Sequence, residues 1–125
     1  MKEVEQFTQA ILQDVEYLKQ EQLASLELIS LINGLKRKQQ EVIDRVTREV
    51  HAAMNEQGKK KYSNETIRNV AIREILAASE GYQTREGKIE ELETTVQKHL
   101  IEQEYLRNKI TINKEFLLAL KHKNL

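Results

Sequence analysis

The chain has no cysteine, no proline and no tryptophan, and aromatic residues make up only 5% of its 125 positions. Without cysteine there is no disulfide framework and no thiolate chemistry. Charge of one sign is missing too: twenty basic and twenty acidic residues give a formal net charge of zero. The whole molecule therefore has no electrostatic reason to seek DNA, RNA or an anionic membrane, and any such binding would be local. His51, His99 and His122 are far apart and outside metal-ligand spacing, so neither a metal nor another cofactor is expected. Long apolar runs are also lacking. The richest, residues 26–35, is broken by Glu27, Ser30, Asn33 and Gly34, and no stretch is long enough to span a membrane. The first residues carry Glu3 and Glu5 where a secretory signal needs a basic start and an apolar core. A bacterial or phage-type cytoplasm is the expected compartment, an assignment that rests on these absences.

What the chain does have is charge and helical spacing. Charged residues make up 32% and hydrophobic residues 39%, spread in stripes, a profile that suits coiled-coil-like packing in one small domain, residues 1–125. Val4, Ile11, Val15 and Leu18, then Leu28, Leu31, Leu35, Val42 and Val46, recur at helical spacing and predict a long helix over about 2–56. The stripe slips near Gly34, where Lys36 and Gln39 take places that its first half would make apolar; this resembles a coiled-coil stutter in a continuous or gently kinked helix, the favoured reading, although Asn33-Gly34 could also be a true break. A connector follows at about 57–63, where Gly58 suits a helix C-terminus and the lysines beside it complement the dipole. Ser63 or Asn64 can cap a short helix over about 64–79, with Ile67, Val70, Ala71, Ile75 and Leu76 on its apolar face; the helix weakens at Ser79-Glu80-Gly81. From about 83 to 121 a second long helix carries Ile89, Leu92, Val96, Leu106, Ile110, Leu117 and Leu120 in near-heptad register. His99, Gln103 and Asn113 fall at or beside seam positions, where polar residues fix register. Histidine titrates near neutrality, so His99 could make the seam pH-sensitive, although a partly exposed flank is the commoner case.

The predicted fold is all-α: a long antiparallel helical hairpin with a short intervening helix. At 1.5 Å per residue the first helix would reach roughly 75 Å and the last about 60 Å, an excess that leaves apolar surface uncovered. Leu12, Leu23, Leu26 and Ile29 lie outside or between the main stripes and are the candidate surface for a second copy or another protein.

Gly58-Lys59-Lys60-Lys61-Tyr62-Ser63-Asn64-Glu65, followed by Arg68, with Tyr82-Gln83 and Glu104-Tyr105-Leu106-Arg107-Asn108 further on, resembles a group of small helical proteins of bacteria, phages and other mobile elements. In that group a Gly-Lys-x-x-Tyr-Ser-Asn-Glu tract joins an N-terminal helix to a coiled-coil segment. The likeness covers roughly residues 46–116 and brings no activity with it. Gly81 and Gly87 depart from the group, which is usually more helix-friendly there or has a proline break.

Lys59, Lys60, Lys61, Tyr62 and Arg68 are the candidate anion or nucleic-acid contacts: lysines for phosphates, a tyrosine to stack on a base, and a helix start offering free N–H groups. The plainer account is a solvated, well-capped connector, since Glu65 would repel a phosphate there. Lys36-Arg37-Lys38 with Arg45 and Arg48 could form a positive face, but Glu41, Asp44 and Glu49 are interleaved, so pairs within the helix are the simpler account. Glu86, Glu90 and Glu93 share a face, yet no Glu-x-x-His accompanies them as in di-metal bundles, and solvation explains them. Asn64-Glu65-Thr66 matches a glycosylation sequon, for which cap chemistry is the better account. A two-helix seam rarely supplies the pocket that acid–base catalysis needs, so no enzyme is expected. Two functions remain: a self-associating or partner-binding interaction module, such as an accessory or inhibitor protein of a mobile element, and a nucleic-acid accessory factor using the connector lysines.

Overall fold

The computed structural model describes residues 2–123; Met1, Asn124 and Leu125, the ends of the expected domain, lie outside the described residues. Three helices follow in order, α1 (Lys2–Ala52), α2 (Glu65–Ala78) and α3 (Glu80–Lys123). The fold is the expected all-α helical hairpin, with long α1 and α3 packing together and a short α2 between them. Its residues fall into two compact units, Met1–Ile29 with Glu93–Leu125, and Ser30–Leu92.

In the first unit the seam of α1 runs through positions 4, 7, 11, 14, 18, 21, 25 and 28, all buried or half-buried, with Ala10, Gln22 and Ala24 half-buried on its flanks. This strict alternation of three and four is the signature of a coiled-coil seam. It includes Asp14, only 3% exposed, and leaves Val15 outside. The expectation of Val15 as a seam residue is thus corrected: position in the heptad, not hydrophobicity, decides which of two neighbours faces the partner helix. On α3 the seam runs through Val96, His99, Gln103, Leu106, Ile110, Asn113, Leu117 and Leu120, as the spacing predicts. Phe7 and Phe116 stack with ring centres 5.9 Å apart.

In the second unit α1 continues through Gly34 with no skip there: 32, 35, 39, 42 and 46, buried or half-buried, keep the three-four alternation, and Val50, four residues beyond Val46, is buried as well. There is no stutter at the glycine. Gln39, 4% exposed, occupies a seam position as a polar residue, and Leu31 gives way to Ile32 by the same one-residue rule. Val42, Val46, Val50 and Ala71 form the core, with Tyr62, Ile72, Leu76 and Tyr82 packed against it. On α2 it is therefore Ala71, Ile72 and Leu76 that face inward, whereas Ile67, Val70 and Ile75 of the predicted apolar face are exposed.

The helix ends show why the connector is longer than expected. α1 stops at Ala52, four residues early, because Asn55 folds the chain back on itself. Its Oδ1 accepts from the Gln57 and Lys59 N–H groups at 3.0 and 3.1 Å, competing with helical hydrogen bonds. Gly58, at φ +73°, sits in the turn of this small loop and not at the helix terminus, and Met54 and Lys60 form an isolated antiparallel bridge. Asn64 caps α2, its Oδ1 accepting from Ile67 N–H at 2.9 Å. Ser79 alone separates α2 from α3: its N–H donates to Leu76 O, and its carbonyl accepts from Gln83 N–H at 3.0 Å. The expected weakening at 79–81 is one residue wide, and α3 already includes Gly81.

Candidate functional site

Four residues named from the sequence as an interaction surface lie together on α1 of the first unit. Leu12, Leu23, Leu26 and Ile29 are 59%, 58%, 62% and 39% exposed. Val15, also exposed, belongs with them; sequence reasoning misses it because its hydrophobicity argues for the seam. With 3.6 residues per turn, 12, 15, 23, 26 and 29 fall on one face of the helix, next to the face that packs on α3. The result is an aliphatic stripe in water. α3 of the same unit also exposes Ile101, Tyr105, Ile112 and Leu118.

Beside that stripe the seam is polar, and most of its groups satisfy one another. Gln103 Nε2 donates to Ser25 Oγ at 3.0 Å and to Glu21 O at 3.2 Å. His99 Nδ1 contacts Glu21 Oε2, with both side chains a little over one quarter exposed. Lys109 Nζ lies 3.4 Å from Asp14 Oδ1, while Asp14 Oδ2 is buried without a partner. These groups meet between α1 and α3 of this unit and are committed to holding the two helices in register. Among the described residues no group of three or more His, Asp or Glu side chains could hold a metal ion.

The second unit carries the basic candidates. Lys59, Lys60 and Lys61 are exposed around the Gly58 turn. Tyr62 is not splayed outward: it packs against the valine core, and Lys61 Nζ lies over its ring at 5.5 Å from the centre. Arg68 is half-buried, its Nη1 3.5 Å from Tyr62 O and its Nε buried without a partner. The structure thus brings Lys61, Tyr62 and Arg68 together, and leaves Lys59 and Lys60 in solvent. A shallow depression of about 230 Å³ lies against α2, lined by Tyr62, Thr66, Ile67, Val70, Ala71 and Glu74. The second basic run is paired within its own helix, Lys38 with Glu41 at 4.0 Å and Arg45 with Glu49 at 3.8 Å.

Burial, and secondarily the Glu86 carboxylate, raise the Tyr82 phenol above the ordinary tyrosine value. The Tyr82 backbone oxygen and Glu86 Oε1 both accept from Gln39 Nε2 at 2.9 Å, and Arg85 Nε donates to Gln39 Oε1 at 2.6 Å. Gln39 is the centre of a polar lock equivalent in kind to that of the first unit. Among the described residues no helix is long and apolar enough to cross a membrane. Compared with known proteins, the chain matches no family model, and no curated protein or solved structure shows significant similarity to it.

Proposed function

We propose that this protein is a non-enzymatic interaction or scaffolding module that binds a second copy or another protein through the aliphatic stripe of α1. The observation that carries this reading is the exposure of Leu12, Leu23, Leu26 and Ile29 on one helix face. Apolar side chains aligned on one helix face and kept in water mark a docking face, because covering them is favourable at about 25 cal/mol per Å². The buried polar groups Ser25, Gln39 and Gln103 support a structural role, since they hydrogen-bond across the helix seam. The likeness of the connector tract to proteins of phages and mobile elements extends the proposal to an accessory or inhibitor protein acting in a bacterial cytoplasm.

Sedimentation across a wide concentration range tests it. The wild type is expected to associate and Leu26→Asp to remain monomeric with unchanged helicity. A wild type that stays monomeric, or an oligomer indifferent to Leu26→Asp, counts against the reading. The alternative, a nucleic-acid accessory factor, draws on exposed Lys59, Lys60 and Lys61. It requires steeply salt-dependent oligonucleotide binding that is lost when all three are changed to glutamine.

A further inference from the structure

The α1 stripe is more regular than an apolar patch needs to be. Residues 12, 15, 19, 22, 26 and 29 repeat the three-four spacing of the seam, displaced from 11, 14, 18, 21, 25 and 28 by a single residue. One residue is about 100° of rotation, so α1 carries two adjacent coiled-coil seams. The first is filled by α3. The second reads Leu12, Val15, Lys19, Gln22, Leu26, Ile29: two apolar layers, a polar centre, two apolar layers.

That order is the same from either end. The geometry points to a second copy of this chain as the occupant, with the two α1 helices antiparallel across a twofold axis passing between residues 20 and 21. This inference rests on the interaction-module reading and specifies its partner. In this register Leu12 meets the partner's Ile29, Val15 meets the partner's Leu26 and Lys19 meets the partner's Gln22, each contact occurring twice as a C2 interface demands. Sliding one heptad in one direction sets Leu12 against Gln22 and Val15 against Lys19. Sliding in the other sets Leu26 against Gln22 and Ile29 against Lys19. Only the central register pairs every apolar residue with an apolar one. A parallel pair in register also matches the leucines, but it stacks Lys19 directly on Lys19, where like charges repel. Leu23, on the flank of the stripe, widens the apolar cover. Because α1 is already folded against α3 in this unit, association orders little new chain and loses little entropy.

Since the chain has no cysteine, single cysteines report the geometry cleanly. Equal amounts of Val15→Cys and Leu26→Cys chains are mixed under mild oxidation. The expected product is a 15–26 disulfide between chains, with few 15–15 or 26–26 links, because in the antiparallel register two copies of residue 15 lie about 16 Å apart along the axis. A disulfide needs its α-carbons within about 7 Å. Dominant 15–15 and 26–26 links would mean a parallel pair and overturn the inference while leaving self-association intact. An oligomer giving none of these links, with nitroxides placed at Ile101 or Ile112 close together instead, would move the interface to α3 and also overturn it. A wild-type monomer at all concentrations, with no crosslink, overturns both the inference and a self-associating form of the module. Gln22→Glu supplies a readout that keeps the stripe intact: it sets a carboxylate opposite the partner's Lys19 and is expected to tighten association about two- to fivefold. In a parallel pair the same substitution would set the two new carboxylates against each other and weaken association.

Discussion

The two units of this hairpin hold their helices together with different balances of apolar and polar contact, although Gln39 is buried in one and Ile11, Val96, Leu106 and Ile110 in the other. In Ser30–Leu92 the centre is Val42, Val46, Val50 and Ala71, with aromatic and aliphatic neighbours from the connector, α2 and α3. In Met1–Ile29 with Glu93–Leu125, Asp14, Ser25 and Gln103 are buried in the seam and Glu21 and His99 half-buried, so side chains that elsewhere face water line the contact. A small apolar core resists unfolding, whereas a polar seam chiefly decides which register and partner are acceptable. The unit with the polar seam is also the one with the aliphatic stripe on its outer face. The valine unit is therefore expected to contribute more to stability, and the proposed docking stripe lies on the polar one.

The comparison breaks most visibly where the valines are cut. Val46→Ala removes packed methyl groups at a site 3% exposed and is expected to cost about 2 kcal/mol in urea unfolding followed by circular dichroism. Val15→Ala, on the exposed stripe, should change the stability of the monomer by no more than about 0.5 kcal/mol. Equal losses at the two sites would mean that Val15 is packed as closely as Val46 and is not part of an uncovered face.

A somewhat smaller effect of opposite sign is expected at Asp14. Its carboxylate is buried with Oδ2 unpartnered, and the cation beside it, Lys109, is nearly half exposed and can turn into solvent. Replacing a poorly compensated buried ion by an apolar side chain removes a desolvation cost. Asp14→Leu should therefore stabilise the fold by about 1–2 kcal/mol, at the risk of a less specific seam. A loss of stability would show that the Asp14–Lys109 pair repays its burial.

Asp14 also shows where sequence reasoning stops. The all-α hairpin, a cap at Ser63 or Asn64, the α3 seam and the exposure of Leu12, Leu23, Leu26 and Ile29 follow from spacing and local hydrogen-bond chemistry, and all are legible in the sequence; the choice of Asn64 over Ser63 is not. The departures along the α1 seam share one cause. Where an apolar residue stands beside a polar one, as in Asp14-Val15, hydrophobicity favours one neighbour and strict heptad position the other, and tertiary packing obeys position. The apparent slip at Gly34 is Gln39 standing in the seam. Gly58 departs from expectation for a different reason: the folding-back of Asn55 on its own backbone is a side-chain geometry that no periodicity reveals.

Glycine offers a smaller test, confined to the valine unit. A Cβ at Gly34 would meet only Arg37 Nη2 at 3.9 Å, and one at Gly87 would meet nothing within 4 Å. Both lie inside helices, so Gly34→Ala and Gly87→Ala should each raise stability by about 0.5–1 kcal/mol. No gain at Gly34 would mean that α1 needs its freedom there.

The smallest expected effect is a dependence on alkaline pH that belongs to the valine unit. Burial first, and the Glu86 carboxylate second, disfavour the phenolate of Tyr82 and raise its folded value above about 10. The folded state then holds this proton more tightly than the unfolded chain. Its contribution to stability is complete below the unfolded value and is lost as pH rises through the higher folded one. The melting temperature should accordingly fall more between pH 9 and pH 11 in the wild type than in Tyr82→Phe, which keeps the ring and the backbone oxygen that Gln39 holds. Glu86→Gln should soften the fall only partly, because burial is the larger cause. If Tyr82→Phe and the wild type decline in parallel, the alkaline sensitivity lies outside this core.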